Sequence, residues 1–326
     1  MSTPPDYFDA NSKLVKMWNQ PLSASAALPA TTFTPEEAER SSIYSLLLMA
    51  IVRFNWNGNK NGARDGEYPW RPKQLRSDGT YEGDPLGDRY LGHNIAAIAV
   101  DASGRVVDFD FNHNKVFNSS VQHAEARLIR RLFGLAAVQD SWDLTSGPRK
   151  YRTDLKETTV YTSLESCAQC SGIMALGNLP RVVYLQPDPG QYMIGQILRN
   201  LSDPAVAEHV PASAFGFPYF DQLIQAHKDF QSGVAAGTLF WMQGKLGPGV
   251  EKGAAMTSFL CNDAARDIYE NATQDFAHFA CKFPSYAPVN TSNGSTALSN
   301  AQALAHAQEF FEYAAAAAQR GTPHFN

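Results

Sequence analysis

The sequence predicts an α/β protein built as three layers, α/β/α, in which helices cover both faces of a sheet. Strand-like and helix-like segments alternate between residues 95 and 201, and such alternation is typical of this class. A clear helix signal precedes these segments, and a helical appendix follows them. With 44% hydrophobic residues in a chain of 326, the protein can also bury a large core.

The first predicted helix begins after Thr34. Thr34 and Glu37 form a capping box, and Pro35 stands at the first helical position, where its missing N–H costs no hydrogen bond. Apolar residues then recur at spacings of three and four up to about Phe54. We therefore expect one face of this helix to pack inward.

A β-hairpin and a series of alternating elements follow. Two strand-like segments, 95–100 and 105–109, flank the turn-forming sequence 101–104. The remaining pattern predicts helices at 123–134, 167–176, 194–201, 220–230, 263–279 and 300–320, and strands at 158–164 and 181–185. Gly134 and Gly177 are the expected stop signals of the first two of these helices. The last two helices are predicted to form a helical hairpin.

Changes of composition along the chain predict its domain organisation. Residues 1–33 form an irregular N-terminal extension, residues 34–245 the central α/β domain, and residues 246–326 the helical C-terminal appendix. Within the central domain, residues 55–92 combine turn-forming residues with aromatic ones. We expect this insertion to serve function or contacts between subunits.

The charge and hydropathy of the chain indicate which partners and which cellular compartment to expect. The net charge of −5 and the pI near 5.9 give no global positive field, which favours a small substrate over nucleic acid. The longest apolar run, 43–52, is far shorter than the roughly 20 residues of a membrane span. The first 30 residues lack the pattern of a signal peptide, so we expect a cytoplasmic protein.

Two short motifs carry the chemistry. One is His123-Ala124-Glu125, and the other is the segment 166–170, Ser-Cys-Ala-Gln-Cys, each at a predicted helix start. Cys167 and Cys170 are three residues apart, so both sulfur atoms lie on one face of a first helical turn, where the helix dipole favours thiolate. With the imidazole of His123 they provide three zinc ligands and leave a fourth position open, as in catalytic zinc sites.

Glu125 is the predicted proton-transfer residue. It lies in the same first turn as His123, so its carboxylate can reach a water beside the metal without being a ligand. Zinc lowers the pKa of such a water toward about 7. Glu125 can then take its proton and return it to a ring nitrogen and a leaving amine, with release of ammonia.

Three other interpretations of the cysteines compete with this one. A structural site of four cysteines is disfavoured because Cys261 and Cys281 do not form a second CxxC pair. A thioredoxin-like dithiol would need neither His123 nor Glu125. A zinc-stabilised scaffold of the same fold that no longer catalyses a reaction stays open.

The segment 162–175, TSLESCAQCSGIMA, together with the HAE motif, resembles the cytidine deaminase-like superfamily, in particular the branch of CMP/dCMP and tRNA adenosine deaminases. The resemblance spans roughly residues 34–200. It implies a hydrolytic deaminase with one zinc ion per chain that removes the exocyclic amine of a nucleobase, with cytosine in a free nucleotide slightly favoured. It also implies an alternative, editing of adenosine or cytosine within tRNA or single-stranded nucleic acid, for which residues 149–152, Arg-Lys-Tyr-Arg, would contact phosphate.

The resemblance also implies substrate contacts and an oligomeric state. Asn114 is similar to the asparagine that binds the base or ribose in tRNA adenosine deaminases, with Asn112 as the alternative alignment. Ala124 and Ser166 are the other expected substrate contacts. Ser166 stands where the family usually has proline, which leaves both cysteines in place. The family branch commonly assembles through the helices beside its sheet, so we expect a homodimer.

Overall fold

The computed structural model describes residues 12–18, 20–28, 31–56, 93–114, 119–142, 154–202, 207–236, 256–288 and 297–319. The described helices are α1 (Lys13–Met17), α2 (Leu22–Ser25), α3 (Pro35–Phe54), α4 (Ala124–Trp142), α5 (Ala168–Leu176), α6 (Ile194–Leu201), α7 (Pro218–Ala235), α8 (Met256–Phe259), α9 (Asp263–Ala277) and α10 (Asn300–Gln319). The strands are β1 (Ala96–Asp101), β2 (Val106–Phe111), β3 (Thr158–Thr162), β4 (Arg181–Tyr184) and β5 (Glu208–Pro211). The predicted segments Arg149–Arg152 and most of 55–92 lie outside the described residues.

The five strands form one mixed sheet in the order β2-β1-β3-β4-β5. β1 is antiparallel to both β2 and β3, whereas β3, β4 and β5 run parallel. In this arrangement the end of β2 and the end of β3 reach the same edge of the sheet, because Ala97 pairs with both Asp110 and Thr162. That edge brings together the segments that precede α4 and α5.

Neighbouring residues of β3 show that helices cover both faces of the sheet. The ring of Tyr161 contacts Tyr44 of α3, with centroids 5.3 Å apart, whereas the hydroxyl of Thr162 donates to Glu125 of α4. Successive side chains of a strand point to opposite faces, so α3 and α4 lie on opposite sides. The predicted three-layer α/β/α class is therefore confirmed.

Helix α3 forms as its capping box predicts. The Thr34 hydroxyl accepts the Glu37 N–H at 3.3 Å, and the Glu37 carboxylate accepts the Thr34 N–H at 2.9 Å. The helix is buried on most of its surface because α9 and α10 pack against it from outside. Arg53 pairs with Glu270 of α9 at 2.6 Å, and Arg40 donates to the Leu298 carbonyl at 2.8 Å.

Both terminal segments pack on the central layers. The Lys13 ammonium donates to the Ser202 carbonyl at 3.0 Å, just after α6, and Asn200 donates to the Ser25 carbonyl at 2.8 Å. On the opposite face, Phe109 of β2 contacts Phe310 of α10, with ring centroids 5.7 Å apart. The domain boundaries at residues 33 and 245 stay a prediction.

Several features of the fold differ from the sequence-based expectation, among them the short helices α1, α2 and α8, which were not predicted. Helix α4 does not stop at Gly134 but continues to Trp142, because a glycine inside a helix costs only about 1 kcal/mol. Strand β5 was not predicted, since its four residues are too few to show a period. Helix α7 begins at Pro218, two residues before its predicted start, and follows a 3₁₀ turn at Ala212–Phe215. Of the described helices, none combines the length and apolar character that a membrane crossing requires.

Candidate metal centre and active site

The residues just after β2 fix the start of α4. The side-chain oxygen of Asn112 accepts the Ala124 N–H at 2.8 Å, and the His113 N–H donates to the Gln122 carbonyl at 2.9 Å. The first hydrogen bond satisfies one of the free amides at the helix N-terminus. Together the two bonds hold the backbone on both sides of His123.

The second motif opens helix α5 after the end of β3. Cys167 is the N-cap residue, in an extended conformation with φ −69° and ψ 172°, and Cys170 lies in the first turn. The Cys167 carbonyl accepts the Ser171 N–H at 2.9 Å, so the first helical bond is made at the motif itself. Cys170 is fully buried, whereas Cys167 is half-buried.

The three predicted ligands lie together in space. One ligand atom from each of His123, Cys167 and Cys170 can be chosen so that all three are within 4.8 Å of one another. The His123 Nδ1 atom is 3.3 Å from the Cys167 sulfur and 3.7 Å from the Cys170 sulfur. In a tetrahedral zinc site, bond lengths near 2.0 Å to nitrogen and 2.3 Å to sulfur separate the ligand atoms by about 3.5–3.8 Å. The donor set therefore fits zinc in both type and spacing.

The electrostatics of the cluster favour a cation. Hydrogen bonds from the Cys170 thiol and from His123 lower the pKa of the Cys167 thiol to about 4. The hydrogen bond with Cys167 raises the pKa of His123. Thiolate is the form of cysteine that binds metal, so the site already supplies one negative ligand. A cation between the sulfur atoms would stabilise the second as thiolate too.

Glu125 lies beside this cluster with 4% of its surface exposed. Its Oε1 atom accepts the Thr162 hydroxyl at 3.1 Å and the Ser166 hydroxyl at 3.2 Å. Burial raises the pKa of this carboxyl above its ordinary value. A buried carboxyl with a raised pKa is the kind of group that general acid and base catalysis requires.

A network of buried charges holds α4 on the sheet behind the site. Arg131 donates one hydrogen bond of 2.7 Å to Asp108 and another of 2.7 Å to Asp110, both in β2. Arg127 donates to Asp110 at 3.1 Å. The side chain of Asp110 is 2% exposed. Because the network joins the first two turns of α4 to β2, it limits rotation of the helix that follows His123.

The residues expected to contact substrate differ in burial and in hydrogen bonding. Ala124 and Ser166 are fully buried, and their N–H and hydroxyl bind Asn112 and Glu125. Asn114 is half-buried, and its Oδ1 atom is buried with no hydrogen-bond partner among the described residues. It is Asn112, the alternative alignment, that contacts the start of α4. The substrate roles of Asn114, Ala124 and Ser166 stay predictions.

Sequence reasoning missed the roles of two residues at the site. Thr162 holds the Glu125 carboxylate, and Asn112 caps α4. The alternation of a strand gave a signal for Thr162, because Tyr161 is the residue that faces the apolar helix α3 and its neighbour must face the other way. Nothing local to the sequence identified which of two nearby asparagines would act as the cap.

One comparison with known families matches the region that contains this site. A family model described as the cytidine and deoxycytidylate deaminase zinc-binding region matches residues 87–186. No curated protein matches the sequence. Among solved structures, 43 chains match.

Two of these structures illustrate the range of the matches. One, from a study of A-to-I editing by tRNA:A34 deaminases at the wobble position of transfer RNA, is 22% identical and covers 36% of this chain and 82% of that chain, with a TM-score of 0.27. Another, a guanine deaminase from Nitrosomonas europaea, is 13% identical and covers 60% of this chain and 88% of that chain, with a TM-score of 0.29.

The matched region contains every member of the site. His123 and Glu125 open α4, Cys167 and Cys170 open α5, and residues 87–186 include all four. The three ligand atoms meet within the distance that a zinc ion spans. The stretch that matches the family model is therefore the one that contains the candidate metal site.

Proposed function

We propose that this protein is a zinc-dependent hydrolytic deaminase that removes the exocyclic amine of a nucleobase, with a cytosine nucleotide as the first candidate substrate. The observation that carries the proposal is the position of Glu125. Its buried carboxylate lies in the first turn of α4, two residues after His123, and accepts hydrogen bonds from the hydroxyl groups of Thr162 and Ser166. A purely structural zinc site has no use for such a group.

The proposed reaction gives each residue of the site a separate role. His123, Cys167 and Cys170 would hold the zinc ion, which supplies a Lewis acid that makes water acidic enough to react near neutral pH. Glu125 accepts a proton from the attacking water and passes protons to the ring nitrogen and to the leaving amine. The C–N bond is thus replaced by a C–O bond, and ammonia leaves.

The net charge of −5 supports a small substrate, because an acidic chain does not attract nucleic acid over long distances. Editing of adenosine or cytosine in tRNA or single-stranded nucleic acid is the alternative within the same chemistry. It would require binding that weakens steeply with salt concentration, since phosphate contacts release counterions. We also expect the protein to be a homodimer in the cytoplasm. Light scattering coupled to gel filtration measures the oligomeric state.

Ammonia release tests the proposal. The panel consists of cytosine, cytidine, CMP, dCMP, adenosine, guanine, single-stranded DNA and tRNA. We expect release from a cytosine nucleotide by the wild type, and a loss of at least about 100-fold in Glu125→Gln with zinc retained. Glu39→Gln is the matched control, because Glu39 is also a buried carboxylate but binds the N–H groups of Lys282 and Phe283 on the other face of the sheet.

Each outcome separates the competing functions. Release from CMP or dCMP supports the proposal, and release from tRNA or DNA alone replaces it with editing. If the zinc-loaded wild type released no ammonia from any member, the scaffold interpretation would be favoured. Equal activity of wild type and Glu125→Gln would remove Glu125 from the mechanism.

A further inference from the structure

We propose that the Ser166 hydroxyl positions the Glu125 carboxylate and so orients the proton-transfer group. The proposal rests on the proposed function, because it takes Glu125 to be the group that moves protons. Ser166 is fully buried, and its Oγ atom lies 3.2 Å from the Glu125 Oε1 atom. It therefore acts through Glu125 and is a positioning residue.

Two hydroxyl groups fix the carboxylate from different elements of the fold. Thr162 lies at the end of β3, and Ser166 lies just before α5. Both donate to the same atom, Oε1 of Glu125, at 3.1 and 3.2 Å. Two donors on one oxygen hold the plane of the carboxylate, and neither of these bonds occupies Oε2.

The two donors are not equivalent. The Thr162 hydroxyl also lies 3.1 Å from the Leu164 carbonyl. A hydroxyl has one hydrogen, and both the carbonyl and the carboxylate are acceptors, so Thr162 must divide its hydrogen between them. The contact from the Ser166 hydroxyl goes to Glu125. Ser166 is therefore the donor on which the orientation of Glu125 depends more strongly.

The position of Ser166 also joins the carboxylate to the ligand segment. Ser166 directly precedes Cys167, and its carbonyl accepts the Ser171 hydroxyl at 3.3 Å. The backbone of Ser166 is thus held at the start of α5 while its side chain holds Glu125. One residue therefore links the segment of the two cysteines to the Glu125 carboxylate.

The catalytic test compares Ser166→Ala and Ser166→Thr with Ser163→Ala. Ser163 is the matched control because it too is fully buried, but its hydroxyl accepts the Ala96 N–H at 3.1 Å and does not bind Glu125. In Ser166→Ala we expect kcat to fall by about tenfold, as for a lost hydrogen bond to a charged group, with KM within about twofold and zinc content unchanged. Ser166→Thr, which retains a hydroxyl group, should recover most of the wild-type kcat. Ser163→Ala should have the kcat of the wild type.

A second measurement does not depend on activity. In metal-free protein, Ser166→Ala should lower the thermal midpoint by about 2–4 °C, and this effect should shrink when Glu125 is replaced by Ala, because the acceptor is gone. Ser163→Ala should lower the midpoint equally in both backgrounds. Additive effects of Ser166→Ala and Glu125→Ala, or an unchanged kcat in Ser166→Ala, would overturn the proposal. If the wild type releases no ammonia, the proposed function is wrong. The non-additive effect of Ser166→Ala and Glu125→Ala on the thermal midpoint still tests whether Ser166 holds Glu125.

Discussion

The side-chain oxygen of Asn112 accepts the backbone N–H of Ala124 at 2.8 Å, which ties the residue after β2 to the first residue of α4. The two residues are 12 positions apart, and His123 lies between them in the chain. The orientation of a metal ligand thus depends on a helix cap. The cap is itself supplied by the sheet edge at which β2 and β3 both end.

Replacement of Asn112 by Ala should lower the free energy of unfolding by about 1 kcal/mol, the usual cost of a lost N-cap. Asn112→Asp keeps an acceptor oxygen at the same place and should recover most of this loss. Denaturant unfolding of the metal-free protein measures both variants. Equal destabilisation by Ala and Asp would show that the cap bond is not what Asn112 contributes.

Replacement of Arg131 by Met should lower the free energy of unfolding by about 3–5 kcal/mol, because it leaves the carboxylates of Asp108 and Asp110 buried without their main partner. Arg266 provides the matched control. It pairs with Asp263 at 3.1 Å, but its side chain is 38% exposed, so Arg266→Met should cost less than about 1 kcal/mol. Similar losses in the two variants would contradict the buried network as a source of stability.

Cys170→Ser should reduce the zinc content from about one ion per chain to near zero, because serine is a poor zinc ligand and the two remaining ligands do not hold the metal. Cys261→Ser is the control. Cys261 is as fully buried as Cys170, but it contacts Asn94 rather than the ligand cluster. Elemental analysis of purified protein gives the result. Zinc retained in Cys170→Ser, or lost in Cys261→Ser, would place the metal elsewhere.

His209 should make the stability of the protein depend on pH in the acid range. Burial, with Arg199 nearby, lowers the pKa of this ring to about 4. The unfolded chain binds the proton near pH 6.5, so the folded state loses stability as the pH falls from 6.5 toward 4, by up to about 1.4 kcal/mol per pH unit. His209→Gln should flatten this slope.

The free energy of unfolding is measured for each variant at pH 8, 6.5, 5.5 and 4.5. Gly195 of α6 packs against the His209 ring so closely that any side chain at this position would collide with it. The ring is therefore held in place by packing rather than by a charge partner. An identical slope in wild type and His209→Gln would assign the proton uptake to other groups.

Much of the fold was predictable because its signals are local. The capping box at Thr34, the hairpin turn at residues 101–104 and the alternation of elements each depend on residues a few positions apart. The spacing of His123 and Glu125, and of Cys167 and Cys170, likewise depends on a single helical turn. Strand β5 and the end of α4 were not predictable in this way, since packing rather than local propensity decides them.

The sequence by itself determined the class of the fold, the three candidate zinc ligands that the structure brings together, and the presence of a carboxylate beside them. The tertiary structure decided which groups orient that carboxylate. Thr162 and Ser166 reach Glu125 across 37 and 41 residues of chain, and Asn112 rather than Asn114 caps α4. Such contacts depend on how β2, β3 and the helices after them meet at one edge of the sheet. No local pattern encodes that meeting point, because strand order and register are properties of the packed sheet.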